Sequence, residues 1–196
     1  MIILTARRQC KLFVSDRQEE LLIGSLLGDA YVSPRGQIQL EQSSIQKEFL
    51  FWKYSELKSL AYGSPIETIR FDRRYNKSYI TWRFWLRQYF RSWRGLFYPQ
   101  GVKVIPNEVF NKIGPFSLAV WYMDDGNLSH HRCLTIATNQ FEIANIRQLL
   151  IALRKRFDIV ATVTNQRRIY ITSGSVDTFF NIISPFIISS MKYKLS

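Results

Sequence analysis

Two aspartates stand at matching places in a sequence of 196 residues: Asp29 near the end of LIGSLLGDA, residues 22–30, and Asp125 near the end of LAVWYMDDG, residues 118–126. Both stretches read as apolar helices closing in an acid followed by a small residue. If the two helices meet, their carboxylates come together at one end of the contact. Like charges so placed are tolerable only with cations between them. Mg²⁺ suits such a site, because it takes carboxylate, carbonyl and water oxygens and keeps positions for phosphate. Helix C-termini leave carbonyls free, and those of Gly28 and Asp124 could complete the shell. Asp124 aligns with Gly28 between the repeats, so its side chain reads as a solvated acid and its main chain as a ligand. Two lysines also recur, Lys103 in GVKVIP and Lys194 in MKYKLS. A lysine beside a reacting phosphate stabilises developing charge or acidifies an attacking water. Lys58 and Lys112 read as solvated surface.

The elements that must hold these residues repeat as well. Asp16 with Glu19 forms an expected capping box for the first helix, and Gly114 followed by Pro115 starts the second. Gly24 and Gly28 lie four apart on one face and would let another helix approach closely. After the first helix the alternation predicts a strand over 37–42, a helix over 46–60, and strands over 66–71 and 79–85. After the second it predicts a strand over 133–138, a helix over 141–157, strands over 159–164 and 168–173, and a last helix or turn over 175–183. Residues 95–108 are rich in turn formers and read as the connection. The expected organisation is an extension over 1–15, a first repeat over 16–110 and a second over 111–196, packed about a pseudo-twofold axis.

Lys and Arg total 27 against 15 Asp and Glu, giving a net charge of +12 and a pI near 9.9. An excess of this size points to a polyanion, nucleic acid before any other. With 46% hydrophobic residues the chain can fill a core, which excludes disorder as its main state. Cys10 and Cys133 are too few for a disulfide framework and lack zinc-site spacing. No apolar run is long enough to span a bilayer, and the start shows no secretory signal. On the strands, Ile80, Trp82 and Phe84 face one way and Thr81 and Arg83 the other; Ile169 and Ile171 oppose Arg168, Tyr170 and Thr172. One face is core, and the other is long, basic and polar. Arg70, Arg73, Arg74, Lys77, Arg167 and Arg168 extend it as phosphate-contacting arms, while Gln37, Gln39, Arg83 and Thr172 are types that read base edges. Trp52, Trp82 and Trp121 fall on apolar faces and read as core. His130 and His131 read as DNA-contacting or solvated residues.

The two motifs at half-chain spacing, LLIGSLLGDAYV and SLAVWYMDDG, together with the tail MKYKLS, resemble the LAGLIDADG homing endonucleases of the single-chain, two-motif kind. The resemblance covers nearly everything after Asp16. It implies an α+β fold made of two αββαββα repeats, with the motif helices at the interface and antiparallel sheets forming a saddle over DNA. It further implies a monomer that cleaves both strands of a long, asymmetric DNA site with Mg²⁺, Mn²⁺ substituting, and leaves short 3′ overhangs. The family's metal-binding acids fall on Asp29 and Asp125, and its active-site lysines on Lys103 and Lys194. Its water-ordering polar residues fall nearest to Glu41 and Asn139. Trp121 and Tyr122 occupy motif positions that are often Ala or Gly, so the helix packing should be less uniform here. Intron-borne relatives imply an organelle setting, the mitochondrion first, or another intron-bearing genome compartment. An RNA maturase, or a DNA-binding module that does not cut, is the alternative on the same fold.

Overall fold

Along the chain one order of elements occurs twice. A computed structural model describes residues 1–5, 11–129 and 132–195. Cys10, His130 and His131 lie outside the described residues. A hairpin of β1 (Ile2–Thr5) and β2 (Lys11–Val14) precedes α1 (Asp16–Leu27), β3 (Tyr31–Val32), β4 (Ile38–Ser43), α2 (Lys47–Leu57), β5 (Ile66–Asp72), β6 (Lys77–Trp85) and α3 (Arg91–Phe97). After the short α4 (Asn107–Lys112), the order resumes as α5 (Pro115–Asp125), β7 (Gly126–Ser129), β8 (Cys133–Ala137), α6 (Ile143–Phe157), β9 (Ala161–Val163), β10 (Arg168–Ile171) and α7 (Val176–Ile183). Each passage is therefore αββαββα. Each builds an antiparallel four-stranded sheet of the same topology, β3-β4-β6-β5 in one and β7-β8-β10-β9 in the other.

By contacts the chain forms two compact units that do not follow the simple halves. One holds residues 1–19 and 29–95, and the other 20–28 and 96–196. The extension over 1–15 falls in the first unit, where β2 leads directly into α1. Because the chain is extended as far as Ser15, the capping box forms one residue earlier than the Asp16 and Glu19 pair. Ser15 Oγ accepts from the Gln18 amide at 3.2 Å, and the Ser15 amide donates to Gln18 Oε1 at 3.1 Å.

In the first unit α2 packs on β4 and β6. Its buried Phe49, Leu50 and Leu57 share the core with Ile38, Leu40 and Phe84, which alternate with the opposite face as a pleated strand requires. Arg17 and Glu56 clamp the start of α1 to α2 with two bonds of 2.8 Å. In the second unit α6 buries Ile146, Leu149 and Leu153, and its sheet buries Leu134, Ile136, Ile169 and Ile171. The edge strands β3 and β7, implied by the αββαββα resemblance, carry no signal of their own in the residue pattern: β3 has two residues and β7 reads GNLS, so neither alternates.

The later turns of α1 belong to the second unit and run parallel to α5. Glu20 Oε2 accepts from the Ser117 amide at 3.2 Å and so satisfies a donor left open at the α5 N-terminus. One turn on, a Cβ added to Gly24 would lie 2.8 Å from Val120 Cβ; one turn further, a Cβ on Gly28 would lie 2.6 Å from Asp124 Cβ. Glycine at both positions lets the backbones approach to a distance no other residue permits. Trp121 and Tyr122 of α5 are also fully buried.

Gly24→Val should therefore force the helices apart and destabilise the chain by about 1–3 kcal/mol or more. Gly63→Ala, with open space around it, should change stability by less than about 0.5 kcal/mol. Urea unfolding of the two variants measures the contrast.

Candidate active site and nucleic-acid interface

The first motif acid follows α1 directly. Asp29 is exposed, and its Oδ2 accepts from Gln42 Nε2 at 3.1 Å. Gln42 sits on the core side of β4, between the buried Leu40 and the start of α2, and is itself buried. Both residues line an open pocket of about 400 Å³ with Glu41, Ser43, Arg70 and Thr81. Glu41 points to the other face of β4. It accepts from Arg70 at 2.7 Å and from the Thr81 hydroxyl at 2.8 Å, with Gln39 as a third donor. Partial burial alone would push the Glu41 carboxyl up, but Arg70, Thr81 and Gln39 outweigh it and hold it below its ordinary value.

The second motif acid closes α5 in the other unit. Asp125 is half-buried, with Oδ2 shielded from solvent. Lys194 comes back from the tail and donates to the Asp124 carbonyl at 3.1 Å, with the Tyr122 carbonyl 3.5 Å away. Lys103 does the same at the end of α1: its Nζ donates to the Gly28 carbonyl at 2.7 Å and lies 3.5 Å from Gln140 Oε1. Gln140 Nε2 in turn donates to the Leu27 carbonyl at 3.2 Å. Each lysine thus places an ammonium at a helix C-terminus, where the unsatisfied carbonyls attract it, on the carbonyl that immediately precedes a motif acid. Among the described residues no group of three or more His, Cys, Asp or Glu could hold a metal ion. Any cation here would rest on single carboxylates, carbonyl oxygens and water, a hard-oxygen set that suits Mg²⁺. Each carbonyl has a second lone pair besides the one taken by its lysine.

The open faces of the two sheets carry the expected polar residues. In the first unit Gln39, Thr81 and Arg83 lie on that face, with Glu41 paired across the ladder to Arg83. Gln37 precedes β4, half-buried. Arg83 Nε is buried without a hydrogen-bond partner, and Glu41 is taken by Arg70 instead. Arg73, Arg74 and Lys77 are exposed around the β5–β6 turn, with Arg74 bonded to Asp72 at 3.0 Å. In the second unit Arg168 and Tyr170 lie opposite Ala137 and Thr135 on the open face. Arg167 is exposed at the β9–β10 turn, and its carbonyl accepts from Thr138 Oγ1 at 2.6 Å. Thr172 is half-buried and donates its hydroxyl to the Val160 carbonyl at 3.0 Å. Asn139 is exposed in the turn after β8.

The profile of the LAGLIDADG DNA endonuclease family matches residues 19–179. The chain belongs to this family. A cytochrome b mRNA maturase bI2 of Debaryomyces hansenii is 29% identical to it, over 90% of this chain and 72% of that one. A probable intron-encoded endonuclease of Wickerhamomyces canadensis is 30% identical over 93% of this chain and 85% of its own. The solved structure of the homing endonuclease I-WcaI bound to its DNA recognition sequence has a TM-score of 0.83 at 26% identity, covering 94% and 88% of the two chains.

In this LAGLIDADG chain, Gln42 and Gln140 are the polar residues that reach the motif helices, each one position beyond the Glu41 and Asn139 named from sequence. Strand parity is the signal that could have found Gln42. It is the one polar residue on the core side of β4, following Ile38 and Leu40, and a buried amide needs a partner. Gln140 lies in a turn, where no periodicity points to it.

The Glu41 cluster has a pH signature. A carboxyl whose folded value is depressed adds stability fully present above its ordinary value of 4.5, lost as pH falls toward the folded value. The wild type should exceed Glu41→Gln in stability at neutral pH, and the difference should shrink below about pH 4.5. Paired urea titrations at about pH 7 and pH 4 measure it.

Proposed function

We propose that the chain is a site-specific homing endonuclease that, as a monomer, hydrolyses both strands of a long, asymmetric double-stranded DNA site. It works with Mg²⁺, for which Mn²⁺ substitutes, and leaves short 3′ overhangs. The single observation that carries this reading is the repeated pairing of a lysine ammonium with the carbonyl preceding a motif acid, Lys103 on Gly28 before Asp29 and Lys194 on Asp124 before Asp125. A repeat of cation and acid at two helix ends is what two phosphate cleavages, one per strand, would need.

In this reading Asp29 and Asp125 hold the divalent cations, with the Gly28 and Asp124 carbonyls available to complete the shell. A divalent cation supplies Lewis-acid stabilisation of phosphate charge and lowers the pKa of water. Lys103 and Lys194 stabilise charge that develops on the scissile phosphates. Gln42, bonded to Asp29, orients that carboxylate, and Glu41 and Asn139, one in each repeat, help order water. The open sheet faces grip the duplex. Arg70, Arg73, Arg74, Lys77, Arg167 and Arg168 contact phosphate, and Gln37, Gln39, Thr81, Arg83, Tyr170 and Thr172 face base edges. Arg83 is the foremost of these, because a buried Nε without a partner favours a bound state that supplies one. A setting in an organelle intron, first of all mitochondrial, agrees with the intron-encoded relative. A second reading, RNA maturation, is favoured by the similarity to the Debaryomyces maturase.

Incubation with Mg²⁺ and a plasmid carrying the joined exons of its intron should yield linear DNA; tight intron RNA binding with intact plasmid would favour maturation. Asp29→Asn and Asp125→Asn should each abolish cleavage while duplex affinity stays near that of the wild type. Wild-type cutting by either would remove that acid from the metal site.

Affinity should fall steeply with salt, log K dropping by about 0.9 per log unit of salt for each phosphate neutralised. Arg83→Ala should instead relax preference at one or two base positions. Equilibrium binding across a salt series and against single-base variants separates the two effects.

A further inference from the structure

Tyr122 stands where Leu26 stands in the first motif, and it reaches the tail of the chain. Its hydroxyl donates to the Lys194 carbonyl at 2.6 Å. The ammonium of the same lysine returns to α5, 3.1 Å from the Asp124 carbonyl and 3.5 Å from that of Tyr122. Lys194 is therefore held at both ends by the last turn of one helix. The ring packs edge-on against Phe179 and Phe180 of α7, at 5.3 and 6.1 Å between centroids. A Cβ on Gly126 would run into that ring, so the glycine after Asp125 makes room for it. Burial also pushes the phenol well above its ordinary pKa, which keeps it a donor at any working pH.

We infer that Tyr122 is a positioning residue: its hydroxyl fixes the main chain of Lys194 so that the ammonium stays on the carbonyl preceding Asp125. The inference rests on the reading that Lys194 acts in the hydrolysis of one strand. At the corresponding place in the first motif, Leu26 carries no hydroxyl to hold Lys103. That lysine is held by the Gly28 carbonyl, with the Phe141 ring 5.7 Å from its ammonium. The two strands are therefore served by lysines with different supports, and losing the tyrosine hydroxyl affects one of them only.

The test is strand-resolved, single-turnover cleavage by the full chain at saturating duplex with Mg²⁺, comparing Tyr122→Phe, Lys194→Met and the double variant. Lys194→Met should slow one strand by about 10²- to 10³-fold. Tyr122→Phe should slow the same strand by about 10- to 100-fold, the scale of a misplacement near 1 Å, and leave the other strand and the duplex affinity unchanged. The double variant should be no slower than Lys194→Met, because the hydroxyl acts only through the lysine. Tyr122→Phe cutting both strands at the wild-type rate, slowing both alike, or multiplying the effect of Lys194→Met would overturn the inference and leave the role of Lys194 intact. A Tyr122→Phe chain that does not fold would assign the hydroxyl to stability and overturn it too. Normal cleavage by Lys194→Met would instead remove the lysine reading and the inference together.

Discussion

The approach of α1 to α5 is the constraint from which the site follows. Two parallel helices can bring their C-termini together only if nothing projects between them along the shared face. Here that face is Glu20, Gly24 and Gly28 against Ser117, Val120 and Asp124. The glycines remove the side chains that would separate the backbones, and the glutamate satisfies a donor at the start of α5. Parallel packing has an electrostatic cost, because the negative ends of both helix dipoles lie side by side. Lys103 and Lys194 offset it, each with an ammonium on a terminal carbonyl. Groups suited to phosphate chemistry thus also neutralise the helix ends that carry the acids.

The two repeats share topology but differ in how they support this arrangement. In the first, Gln42 of the sheet binds Asp29, and in the second Gln140 of a turn binds the Leu27 carbonyl of the first motif helix. Lys103 arrives from an irregular stretch after α3, while Lys194 arrives from the tail and is tied by Tyr122. Such divergence is open to a single chain, in which each repeat is free to change independently. The bulky Tyr122 fits because its ring packs against Phe179 and Phe180 of α7.

The motif helices were legible in sequence because their apolar runs are long and end in marked residues, and Gly114–Pro115 located the start of α5. Strands β4, β8 and β10 were legible from alternation, since one face is core and the other is polar; β6 was legible too, although of its apolar face only Phe84 is buried and Ile80 is exposed. What escaped was short or tied to distant residues. β3 and β7 exist because β4 and β8 have an edge to pair, and β1 with β2 because the N-terminal chain folds back on itself. α3 and α4 overlap only the two ends of the 95–108 stretch read as turn, and each is only two turns or less. At the site the acids and lysines were named from spacing and resemblance, but the lysine partners were not. A carbonyl acceptor leaves no mark in a sequence, and the tyrosine clamp joins residues 72 positions apart.

In the proposed mechanism each motif acid, with a lysine on the carbonyl before it, forms one half of a metal-dependent centre for one strand. The most direct measurement is anomalous diffraction from crystals of the chain with its duplex target in Mn²⁺. The account predicts manganese peaks within coordination distance of both Asp29 and Asp125, with the Lys103 and Lys194 ammonium groups near the phosphates and outside the coordination shells. Manganese bound away from either carboxylate, or a lysine displaced from both its carbonyl and the phosphate, would contradict it.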